Sequence, residues 1–131
     1  MARYFTREEA EALLPRISVV LRDIQQERAG MRESEEELET LEARARGNGH
    51  HLHEQIARLQ QAMARHIQSL HALAAELDRF GCELKDPDTG LIDFLSLRDD
   101  RPVYLCWRLG EEEHIKYWHD LQAGFAGRQP I

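Results

Sequence analysis

The chain is expected to be an α+β protein: a long antiparallel helical hairpin of coiled-coil type over residues 6–80, then a small three- to four-stranded antiparallel sheet within 81–131. Three observations predict it. Apolar residues recur in alternating steps of three and four up to Phe80, the stretch RGNGHH interrupts that pattern once, and beyond Gly81 short strand-like runs alternate with turn sequences. With 131 residues, one domain spanning 1–131 is expected, thin in its core if elongated.

Thr6-Arg7-Glu8-Glu9 is a capping box, so a helix starts at Thr6. From there Ala10, Ile17, Ile24, Met31, Leu38 and Ala45 form one heptad row, with Leu14 and Leu21 beside it before Arg28, Glu35 and Glu42 take over. Pro15 lacks the N–H that would bond back to Glu11, which predicts a bend or a helix that begins after it. Gly47, Asn48 and Gly49 supply the connection. In the return arm Ile56, Met63, Leu70 and Leu77 alternate with Leu52, Leu59, His66, Leu73 and Phe80, a seam broken only by His66. Gly81 fits the left-handed residue that closes a helix.

Beyond it CELKD, GLIDFLSL and PVYLCWRL, separated by PDTG and DDRP, read as a three-stranded meander. HIKYWHD reads as a fourth strand or a short helix, and AGFAGRQPI as an irregular tail. The simplest pairing sets Asp93 opposite Leu84 on one side and near Cys106 on the other. Ile92, Phe94, Val103, Leu105 and Trp107 then share an apolar face, while Cys82, Leu84, Asp86, Asp93, Leu95, Tyr104, Cys106 and Arg108 share the opposite one.

The totals exclude several functions. A formal charge of -7, from 17 basic and 24 acidic residues, argues against nucleic acid as a ligand. No run approaches the roughly twenty apolar residues that span a bilayer, which argues against a membrane partner. The N-terminal stretch is broken by Arg, Glu and Pro, and two cysteines make no disulfide framework, so a cytoplasmic protein with free thiols is expected.

The mixed sheet face is where chemistry is expected. Cys82, Cys106 and His119, with Asp93 as a fourth ligand, are the residue types that zinc or a similar transition metal selects. Their spacing is not a metal motif, and cysteines on strands either side of a third would lie roughly 10 Å apart. A buried polar network of Asp86, Asp93, Tyr104 and Arg108, with a bidentate Arg-Asp pair, is therefore preferred, and no cofactor is required. A thiol nucleophile at Cys106 or Cys82 with His119 or His114 as base is a third reading. His50, His51 and His53 at the hairpin tip read as solvated, His66 as a hydrogen-bonded histidine at the edge of the seam with register-setting as the alternative, and ESEEELETLE as a solvated acidic face.

YFTREEAEALLPRI, GCELKDPDTGLIDF, VYLCWRLGE, YWHD and GFAGRQP together give the chain its family likeness: it resembles, over nearly its whole length, the small bacterial proteins grouped as domain of unknown function 2203. The resemblance implies a bacterial cytoplasmic protein and transfers no catalytic role. It singles out Cys82, Asp86, Asp93, Cys106, Trp107, Arg108, Glu111, Trp118, His119, Gly124, Gly127 and Arg128, and gives His114 no distinctive place.

The functional expectation is a non-enzymatic interaction or structural protein that self-associates as a homodimer through its hairpin, because one hairpin cannot bury its own stripes; an unidentified protein partner is the other occupant considered. The alternative is a zinc-like metal protein using the Cys/His/Asp cluster.

Overall fold

The structure, a computed structural model, describes residues 3–48 and 50–131. Two long helices packed together, α1 (Arg7–Asn48) and α2 (His53–Phe80), precede five strands: β1 (Glu83–Asp86), β2 (Leu91–Arg98), β3 (Arg101–Arg108), β4 (Tyr117–Asp120) and β5 (Gln129–Pro130). Gly49 of the expected connection and the His50 side chain lie outside the described residues.

The capping box forms as its spacing requires. The Glu9 amide donates to Thr6 Oγ1 at 3.1 Å and the Thr6 amide to Glu9 Oε1 at 2.8 Å. The helix neither stops nor restarts at Pro15. A proline inside a helix costs about 3 kcal/mol. Leu14, Ile17, Val20 and Leu21 around it are all buried, and each contributes roughly 1.5–3 kcal/mol, so continuation wins. At the far end Gly81 adopts φ 90, and a Cβ there would lie 2.7 Å from Phe5 Cζ. Only glycine closes α2 at this point.

The described chain forms two compact units. The first joins the residues up to Asp23 to Ala75–Ile131 and contains the whole sheet. Its strands follow the order β1-β2-β3-β4-β5, and every neighbouring pair is antiparallel. Ile92 opposite Trp107 and Phe94 opposite Leu105 place an apolar face toward the helices, where Phe5 meets Phe94 edge-on at 5.1 Å. Asp99 and Asp100, at φ 52 and 62, make the tight turn from β2 to β3, a conformation that aspartate tolerates better than most residues.

Two expectations shift here. Of the strand and helix alternatives for HIKYWHD, Tyr117–Asp120 takes the strand as β4, while the tail expected to be irregular returns as β5, with Trp118 opposite Gln129 and Tyr117 opposite Pro130. Proline is accommodated because β5 is an edge strand. The β1 register also differs by one residue from the simplest pairing: Glu83, not Leu84, lies opposite Asp93, and the ladder shifts between Leu84 and Asp86. A one-residue slip exchanges faces, so Leu84 joins Ile92 while Glu83 and Lys85 turn to the Asp93 side.

The second unit, Ile24–Ala74, is the helical hairpin between the first unit's two segments in sequence. Among its described residues few are buried: Ile24, Ser34, Leu41 and Leu52. His66 is accommodated in the seam by Gly30, where a Cβ would sit 2.8 Å from His66 Cε1, and its Nδ1 meets Glu27 Oε2 at 2.6 Å. His51 and His53 are exposed, as expected for a tip.

Candidate metal centre

The polar side of the sheet converges on three residues from three adjacent strands. Asp93 of β2 is the direct partner of Cys106 of β3, and His119 of β4 is the partner of Tyr104 one pair along. Strands two apart are separated by roughly 10 Å, so Asp93 and His119 must reach toward each other across β3. They meet because the residue beneath them is a small cysteine. His119 Nε2 lies 3.1 Å from both Asp93 oxygens, and Asp93, Cys106 and His119 each offer a ligand atom within 4.8 Å of the others. All three are buried, at 2%, 1% and 2% exposure.

The hydrogen bonds fix where the protons sit. His119 Nδ1 is 2.8 Å from the Asp120 carbonyl oxygen, which can only accept, so Nδ1 carries hydrogen. Nε2 then faces a carboxylate, and that contact requires one proton shared between His119 and Asp93. Burial pushes the Asp93 carboxyl above its ordinary range, opposed by the charge and hydrogen bonding of His119. Burial and then the Asp93 charge push the Cys106 thiol up to about 12, although the nearby Arg128 works in the other direction.

Around this centre the side chains are held individually. The Arg128 guanidinium lies over the Tyr117 ring at 4.1 Å and the Phe125 ring at 4.2 Å, and its Nη1 donates to Glu111 Oε2 at 3.0 Å. Glu111 also accepts from the Arg108 amide at 2.8 Å. Tyr104 stands 5.5 Å from the His119 ring and hydrogen-bonds to Glu83, a bond that raises its pKa to about 12. Lys85 Nζ donates to Glu83 Oε1 at 3.1 Å and sits 5.2 Å over the Tyr104 ring. Burial disfavours the Glu83 charge, but the bonds from Tyr104 and Lys85 outweigh it and its pKa is lowered.

Of the four ligands expected, the structure therefore groups Asp93, Cys106 and His119. Cys82 stands apart: it is buried, with its thiol 3.9 Å from the Leu77 carbonyl oxygen, and burial raises its pKa to about 12. The same slip that turned Leu84 to the core face carries Cys82 with it. The expected polar network has other partners too. Asp86 holds its own turn through the Asp88 amide and the Thr89 hydroxyl, Arg108 lies 5.1 Å over Phe125, and the buried ion pair is Asp93 with His119. A buried thiol of raised pKa is the reverse of an activated nucleophile, so the thiol-enzyme reading finds no support.

Glu83 and Lys85 were not expected at this site, because their place depends on the β1 irregularity. Its only sequence signal is Asp86 ahead of Asp88 and Thr89, a side chain able to hold a turn and shift the ladder.

Among the described residues no helix is long and apolar enough to cross a membrane. No curated protein and no solved structure matches the chain. The family model described as an uncharacterized conserved protein, DUF2203, matches residues 3–131, essentially the whole chain, and the chain belongs to that family.

Proposed function

We propose that the protein binds a divalent transition metal of the zinc class through Asp93, Cys106 and His119. The observation that carries this reading is the convergence of three unlike ligand atoms within 4.8 Å, with His119 Nδ1 tied to a backbone carbonyl so that Nε2 points inward. That outer hydrogen bond is how metal-ligating histidines are commonly oriented. Thiolate, imidazole and carboxylate together suit zinc better than calcium or magnesium, which take oxygen ligands.

Charge supports the same reading. Without metal the three groups hold two removable protons, one on the thiol and one shared by Asp93 and His119, and carry no net charge. A divalent ion in place of both protons leaves a thiolate, a carboxylate and a neutral imidazole, again with no net charge. Loading the site thus brings no unbalanced charge into the protein interior, where an unpaired charge is costly.

Metal analysis of untagged protein from zinc-replete cells tests this. About one zinc per chain is expected. Cys106→Ser or His119→Ala should lower uptake at least about tenfold, while Cys82→Ala retains it. Because loading releases protons, affinity should rise steeply with pH. Less than about a tenth of a zinc per chain, against the near-complete occupancy of a structural site, would sink the proposal.

A second reading, self-association through the hairpin, is favoured by the incomplete burial of Ile56, Leu59, Met63, Leu70 and Leu73, all only half-buried in a single chain. A second copy would cover those stripes. Mass in solution decides it, and a monomer at all concentrations tested counts against it.

A further inference from the structure

Resting on the metal reading, we infer that the centre is open on one side and that its free coordination position takes a small oxyanion, a carboxylate or inorganic phosphate, with Lys85 as the second point of contact. Zinc in closed structural sites has four protein ligands, whereas sites with three leave one position for water or substrate. Among the described residues no fourth ligand joins the cluster.

The neighbouring polar groups are engaged or of the wrong kind. Glu83 is held by its hydrogen bond from Tyr104, Glu111 is bound by Arg128 and the Arg108 amide, and Arg128 is a cation. On the open side lies a cavity of about 240 Å³ whose wall includes two of the three ligands, Asp93 and His119, together with Lys85, Tyr104 and Gly124. Gly124 leaves room there, since a Cβ would meet nothing within 4 Å.

The cavity selects for charge as well as size. Among the described residues of its wall Lys85 is the one lysine or arginine, and its ammonium is positioned by the exposed Glu83 carboxylate, a partner at 48% side-chain exposure. Exposed ion pairs contribute little, so Lys85 can turn from Glu83 to a better-placed anion at small cost. One oxygen of a carboxylate or phosphate would fill the metal position while another accepts from Lys85 Nζ, a charge-assisted bond.

Cobalt(II) replaces zinc in such sites and reports its coordination by its visible spectrum, so the experiment is a titration of the cobalt-loaded full chain with acetate and, separately, inorganic phosphate. Saturable shifts of the ligand-field bands are expected with at least one of the two, and the responding anion identifies the class. Lys85→Gln should raise the concentration needed for half the shift by about tenfold, and Lys85→Arg should recover most of the loss. Stoichiometric cobalt with a thiolate charge-transfer band that neither anion perturbs overturns this inference and leaves the metal reading standing. Failure to take up cobalt at all removes both. A shift that Lys85→Gln leaves unchanged overturns the role of Lys85.

Discussion

The sheet-bearing unit and the hairpin unit are built from the same chain by different means. In the first, Trp107, Phe94, Ile92 and Ile115 are sealed from solvent, and the polar side of the same sheet buries an ion pair and a thiol. In the second, an apolar seam stays half-exposed and one imidazole packs against a glycine and meets Glu27. Close packing is available only where layers meet, and two helices alone bury one stripe each. The buried polar cluster sits where the packing is, because a buried carboxylate can be positioned to a few tenths of an ångström only by neighbours that cannot move.

The contrast can be broken most severely in the core. Trp107→Ala removes a buried ring and its hydrogen bond to the Glu112 carbonyl, and should cost about 3–5 kcal/mol in chemical denaturation. The half-buried Leu59→Ala should cost about 1 kcal/mol, and equal losses would erase the distinction between the units.

Alkali should act next, and on the sheet side alone. The Cys82 and Cys106 thiols are each raised from 9.0 to about 12, and the Tyr104 hydroxyl from 10.0 to about 12. Between these limits the unfolded chain has already lost protons that the folded chain keeps, so stability is intact below about pH 9 and falls as pH rises toward about 12. Denaturation midpoints from pH 8 upward measure it, and a Cys82→Ala/Cys106→Ala variant should show a shallower fall. A flat profile would mean that the thiols are not shielded as described.

The smallest effect belongs to the hairpin. His66→Ala removes the 2.6 Å contact with Glu27 and should cost roughly 1 kcal/mol. Hydrogen exchange should quicken within Ile24–Ala74 and stay unchanged in β2 and β3, whereas a uniform change would show that the two units open together.

Much of the architecture was legible because it depends on local signals. The Thr6–Glu9 box, the glycine stop at 81 and the turns before β2 and β3 all act within four residues, and the seam shows its period directly. The Asp93, Cys106 and His119 cluster was legible in part. Alternation along β2 and β3 places Asp93 beside Cys106 from sequence alone, and His119 was selected by its ligand type. The exclusion of Cys82 was not legible, since it turns on the register of β1, where one irregular step reverses every side chain. Nor was β5, whose two residues carry no period and pair only because β4 already offers them an edge.

The three residues of the centre arrive in chain order, Asp93 first, Cys106 next and His119 last. A chain that stops before Tyr117 could still pair β2 with β3, yet it would enclose an acid with no base to share its proton. Such a fragment must either leave Asp93 in water or hold it neutral. The buried acid thus gains its partner only when the third of the three strands is in place.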